Sequence, residues 1–85
     1  MSIKIDTVII DSDETSRGLV TGFLNKVEDI NIAGEFQDAI NSYAEIVEMH
    51  PNLIIVDISQ RTQLTLDVIV KLSKNLRNVK IIVLS

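Results

Sequence analysis

Four residues stand where side chains of their type could do chemistry together. Asp11 and Asp13 follow the apolar run Val8-Ile9-Ile10, Asp57 follows Leu53-Ile54-Ile55-Val56, and Ser85 follows Ile81-Ile82-Val83-Leu84. A carboxylate can accept a proton, hold a hard cation or act as a nucleophile, and a hydroxyl can steady an oxyanion. Carboxylates brought close together repel one another, and a divalent cation such as Mg²⁺ often reconciles them. The acids of the chain are concentrated accordingly. Residues 1–57 carry Lys4, Arg17 and Lys26 against eleven carboxylates, whereas residues 58–85 carry five cations against Asp67 alone. The chain has no cysteine, which excludes a disulfide framework, a thiolate metal site and a thiol nucleophile.

These residues meet only if the apolar runs become neighbouring strands. Thr7–Ile10, Asn31–Phe36, Leu53–Val56 and Val79–Leu84 read as strands, with Gly34 weakening the second. Between them lie helical patterns. Leu19, Val20, Phe23, Leu24 and Val27 form the first, with Ser12 or Asp13 as its cap. Asp38 is expected to cap a second helix carrying Ala39, Ile40, Tyr43, Ala44, Ile46 and Val47. That helix must stop near His50, because Pro51 disfavours helical geometry before it. Leu64, Val68, Ile69, Leu72 and Leu76 form the third. The order β-α-β-α-β-α-β implies one α/β domain over residues 1–85, a parallel sheet between helical layers. Ligands of such sheets bind beyond the carboxyl ends of the strands, where Asp11, Asp57 and Ser85 stand.

The segments Val8-Ile9-Ile10-Asp11-Ser12-Asp13-Glu14, Pro51-Asn52-Leu53-Ile54-Ile55-Val56-Asp57 and Lys80-Ile81-Ile82-Val83-Leu84-Ser85 together resemble the receiver (CheY-like) domain of bacterial response regulators. The resemblance implies a three-layer, doubly wound, flavodoxin-like fold. It covers the whole chain and about the first two-thirds of the family's fold, so that the last strand and helices are missing. It further implies Asp57 as phospho-acceptor from a histidine kinase, Asp11 as one member of a Mg²⁺-binding acidic pair, and Ser85 as the switch hydroxyl. The departures are specific. Ser12 stands where the second acid belongs, with Asp13 one position late. Ile58-Ser59-Gln60-Arg61-Thr62 replaces the loop that carries Met-Pro, Leu64-Thr65 replaces Asp-Gly, and the fifth strand with its lysine is absent. Mg²⁺ held by Asp11, Asp13 and Asp57 is therefore expected to be weak or absent.

Two readings follow. One is an atypical receiver that works through contacts with a kinase or with the output domain of a longer chain. Degenerate receivers at the N-terminus of CpaE/TadZ-type ATPases are similar. The other is a conventional phospho-acceptor cut short, whose only reaction would be self-phosphorylation on Asp57. Asp11 serves either as a cation ligand or as a helix cap. A third, weaker reading is nucleic-acid binding through Lys71, Lys74 and Arg77, which share a helix face. His50 and Tyr43 read as a helix-end residue and a packing residue. With neither a signal peptide nor a membrane-length apolar run, the expected location is the cytoplasm. In the family's strand order (second, first, third, fourth, fifth) the fourth strand becomes an edge when the fifth is absent, which predicts a homodimer through that strand or a borrowed covering element.

Overall fold

The computed structural model describes residues 4–59 and 63–84, so Ser85 lies outside the described residues. Seven elements alternate along the chain: β1 (Ile5–Ile10), α1 (Glu14–Leu24), β2 (Ile30–Phe36), α2 (Tyr43–Met49), β3 (Leu53–Asp57), α3 (Gln63–Asn75) and β4 (Lys80–Leu84). All four strands pair in parallel, in the order β2-β1-β3-β4, with β4 at an edge as expected. The helices make the layers on either side, giving the three-layer, doubly wound, flavodoxin-like arrangement.

Alternate residues of each strand point to opposite faces. On one face Val8 and Ile10 of β1 and Ile54 and Val56 of β3 meet Ile46 of α2 and Leu72 of α3, with Ala39 and Leu76 closing the cluster. Ile46, Ile54 and Leu72 are fully buried, and each such side chain contributes about 1.5–3 kcal/mol relative to exposure. On the other face Ile9 is buried, and α1 packs against β1 and β2.

All three helices depart from the pattern read in the sequence, α3 ending at Asn75 short of Leu76 and Arg77. α1 ends at Leu24, with Asn25 as its C-cap, and so does not reach Val27. α2 begins at Tyr43 rather than directly after Asp38. The Asp38 carboxylate accepts the Asn41 N–H at 2.7 Å and the Asn41 side-chain amide at 3.1 Å. This local bond closes a turn through residues 39–42 in place of a first helical turn, as short polar side chains do when they compete with a helix. α2 then stops at His50, whose left-handed φ of 51° terminates it ahead of Pro51.

Gly34 does not break β2. The register passes from Thr7↔Ile32 to Val8↔Gly34, so Ala33 is the extra residue of a bulge. A Cβ at position 34 would lie 2.9 Å from Met49 Cε and 2.9 Å from Phe36 Cε2, so this site is a close approach at which any side chain would displace the end of Met49 and the Phe36 ring.

The two edges of the sheet are tied differently. At the amino edge Asn52 joins three strands. Its N–H donates to Asp6 O at 2.8 Å, its side-chain oxygen accepts Asp6 N–H at 2.9 Å, and its carbonyl accepts Lys80 N–H at 2.9 Å. At the carboxyl edge Asp11 N–H donates to Phe36 O at 3.0 Å and Ile58 N–H donates to Leu84 O at 2.9 Å.

Candidate functional site

Ile10 pairs with Val56 across β1 and β3, so Asp11 and Asp57 are the next residues on adjacent strands. The register thereby brings the two best sequence candidates to one edge. A small cleft opens there, lined by Ile10, Ser12, Gln37, Asp38, Ala39, Val56, Asp57 and Thr65. Its cavity volume is about 50 Å³. A water needs about 10–15 Å³ of such space, whereas organic ligands occupy pockets of about 300–1,000 Å³. The cleft suits a few waters, an ion or one small anion.

Each carboxylate has defined partners. Asp11 is nearly buried, and its Oδ1 accepts the Asp13 N–H at 2.9 Å. The Asp11 carbonyl accepts Arg17 Nη1–H at 2.6 Å, which fixes a guanidinium beside the first loop. Asp13 turns to α1 instead: its Oδ2 accepts the Ser16 N–H at 3.1 Å and the Ser16 hydroxyl at 2.6 Å, the geometry of an N-cap. The Ser16 hydroxyl and N–H, with Arg17 nearby, hold the Asp13 carboxyl below its ordinary value. Asp38 is lowered likewise, chiefly by the Asn41 N–H. Asp57 Oδ1 accepts the Ser59 N–H at 2.7 Å and the Ser59 hydroxyl at 2.5 Å.

Sequence reasoning named Asp11, Asp13 and Asp57 together. The structure sets Asp57 in the cleft and Asp11 at the adjoining strand end, and it places Ser12 rather than Asp13 along the cleft wall. Mg²⁺ takes near-octahedral oxygen ligands. Among the described residues no group of three or more acidic, His or Cys side chains is arranged to hold a metal ion. At the cleft Ser12 offers a neutral hydroxyl, Asp13 is committed to its cap, and Asp38 accepts from Asn41.

Several neighbours escaped the sequence reading. Gln37, Asp38, Ala39 and Thr65 reach the cleft only because the β2–α2 turn and the first turn of α3 fold over it. Asp38 and Thr65 carried a signal in retrospect, as polar residues just beyond a strand and at a helix start. Away from the cleft, Lys71 of the basic α3 face lies with its ammonium 5.0 Å from the Tyr43 ring centroid, a cation–π contact joining α2 to α3. Asn75 Nδ2–H donates to the Tyr43 hydroxyl, so Tyr43 packs as expected. No helix among the described residues is long and apolar enough to cross a membrane.

No family model matches the chain. It is 28% identical, over 85 residues, to a protein-glutamate methylesterase/protein-glutamine glutaminase of Rhizobium johnstonii, a match spanning all of this chain and 24% of that protein. The chain therefore spans about a quarter of the length of the curated relatives it matches. Among solved structures, the isolated receiver domain of RcsB from Salmonella enterica serovar Typhimurium superposes with a TM-score of 0.81 at 19% identity, covering 94% of this chain and 60% of that one. The response regulator domain of Thermotoga maritima CheB superposes with a TM-score of 0.78 at 16% identity, covering 94% of this chain and 59% of its own. With its strand order, its paired Asp11 and Asp57 strand ends and these likenesses, the chain has the fold of the receiver domains of bacterial response regulators.

Proposed function

We propose that this chain is an atypical receiver, a regulatory module of bacterial two-component-type signalling that acts through contacts with a kinase or an output domain more than through phosphotransfer. The observation that carries this reading is the arrangement of the acids. Asp57 keeps the strand-end position of a phospho-acceptor, but Ser12 stands where the second acid of the pair is needed, Asp13 caps α1, and Asp38, the other carboxylate lining the cleft, accepts from Asn41. Mg²⁺ would be held weakly, through Asp11 and Asp57. When bound, the ion would supply charge neutralisation for a transferring phosphoryl group.

The second reading, a working phospho-acceptor, draws on Asp57 itself. Among the described residues its donors both meet Oδ1, which leaves Oδ2 for chemistry at the cleft. In that reaction an Asp57 oxygen forms a bond to phosphorus as the donor's own bond to phosphorus breaks, phosphorus–nitrogen in a kinase phosphohistidine and phosphorus–oxygen in acetyl phosphate. The imidazole nitrogen or acetate oxygen departs with the electron pair.

Intact-mass spectrometry of the full-length protein after incubation with acetyl phosphate and Mg²⁺ separates the two. Little or no adduct supports the atypical receiver. Rapid, stoichiometric phosphorylation that disappears in Asp57→Ala would falsify it in favour of the phospho-acceptor.

A further inference from the structure

Gly34 leaves a notch on β2, and two side chains close over it. The point where a Cβ would stand lies 2.9 Å from the Met49 methyl and 2.9 Å from the Phe36 ring. The methyl therefore rests over the glycine backbone, beside the edge of that ring. An unbranched, polarisable thioether suits such an irregular gap and gains from an aromatic neighbour. Its tip is seated, yet the residue is not shielded. Met49 is 38% exposed and borders an open groove of about 310 Å³ with Glu45 and Glu48. A small solute reaches the side chain from that groove. Besides Met1 it is the chain's only methionine.

The notch adjoins the Asp57 cleft through Phe36. That residue ends β2 beside Ile10, and its carbonyl accepts the Asp11 N–H at 3.0 Å. The next two residues, Gln37 and Asp38, line the cleft with Asp57. On the other side of β1, Ile10 pairs with Val56, the residue before Asp57. The Phe36 ring thus closes the notch while its backbone holds the loop that begins at Asp11.

We propose that Met49 is a site of reversible oxidation by a peroxide, and that its sulfoxide loosens the β2 end framing the Asp57 cleft. The sulfur lone pair attacks one oxygen of hydrogen peroxide and forms the S–O bond as the O–O bond breaks. The departing hydroxide takes the proton of the transferred oxygen and leaves as water. Sulfur gives two electrons to the peroxide, so no other redox partner enters. The carboxylates of Glu45 and Glu48 border the groove and favour a neutral oxidant over an anionic one.

The consequence follows from where the methyl sits. Oxidation puts a polar S–O group beside a contact made with glycine and a phenyl ring. A buried polar group without a partner is costly, so the sulfoxide turns to water in the groove and draws the methyl from the notch. Phe36 then loses one side of its packing, and its bond to the Asp11 N–H loses support. Sulfoxide reductases restore the thioether. This control acts on the cleft whether or not Asp57 accepts a phosphoryl group.

The full-length protein is treated with hydrogen peroxide, and peptide mapping follows Met49. Its oxidation rate should lie within about tenfold of free methionine. The oxidised domain should melt about 5 °C or more lower, and a sulfoxide reductase should reverse the change. Hydrogen exchange of the Asp11 amide should quicken by about tenfold or more. Met49→Leu keeps the volume and the apolar contact without the sulfur, so peroxide should leave its melting and its Asp11 exchange unchanged. A Met49 that resists peroxide in the folded protein would overturn the proposal. So would an oxidised wild type with unaltered melting and Asp11 exchange, or a Met49→Leu variant that responds as wild type does.

Discussion

Ser59 donates twice to a single oxygen of Asp57: its N–H lies 2.7 Å and its hydroxyl 2.5 Å from Oδ1. Hydrogen bonds to an ionised acceptor are roughly twice as strong as neutral ones, and they stabilise the carboxylate before any reaction begins. Ser59 therefore restrains the residue on which phosphotransfer would depend. Ser59→Ala removes one of the two donors and should raise the initial rate of adduct formation by about tenfold, the equivalent of 1.4 kcal/mol. A mass-spectrometric time course with acetyl phosphate reads this. An unchanged or slower rate would show that the bond positions Asp57 instead of restraining it.

Ser12 lines the cleft with Asp57, so a carboxylate at position 12 would enter the site that Asp13 avoids. Ser12→Asp should lower the melting temperature in chelator, because it adds a further negative charge near Asp11, Asp38 and Asp57. Mg²⁺ should then restore it. The affinity should rise by at least about tenfold over wild type, since ligand charge tunes such sites. Thermal unfolding with and without Mg²⁺ is the measurement, and an equal Mg²⁺ response in both proteins would refute the assignment of position 12.

Asp13 and Asp38 have folded-state pKa values below their ordinary value of 3.8. A depressed carboxyl contributes stability that is complete above its unfolded pKa and lost as pH falls through the folded one. Both terms are therefore intact at neutral pH and disappear below pH 3.8. Asparagine is an equally good cap without a charge, so Asp13→Asn should keep most of the stability at pH 7 and lose less of it on acidification. Melting temperatures at pH 7 and at acid pH test this. A steeper acid loss in Asp13→Asn contradicts the cap.

Gly34→Ala should destabilise the protein by about 1–3 kcal/mol, the usual cost of forcing a methyl into a filled space. The added Cβ would press on Met49 and on the Phe36 ring. Met49→Ala should recover part of the loss, because the Met49 methyl is one of the two obstacles. Denaturant unfolding of the single and double variants measures the coupling. Additive effects would place the strain on Phe36 alone.

Much of this was legible in the amino acids. Period-two and helical patterns depend on residues near one another in the chain, so the seven elements and their alternation could be read directly. So could the strand-end position of Asp57, since the polar residue that stops an apolar run stands at the sheet edge. Pro51 fixed the end of α2 through its steric effect on His50.

What only the tertiary structure decided depends on residues distant in sequence or on competing local bonds. Asp11 had two open roles, and its bond to the Asp13 N–H, with Asp13 capping α1, shows how one loop divides the work between neighbouring acids. Asp38 spends its carboxylate on Asn41 and delays α2 to Tyr43, a contest between a local turn and a helix that composition leaves undecided. Asn52 ties β1 and β4 across β3, and Gln37 and Thr65 reach the Asp57 cleft, through contacts that no spacing announces. The graded burial of Ile9, Ile55 and Ile82 along one sheet face is likewise a property of the assembled layers, because it follows the placement of α1 over β1 and β2.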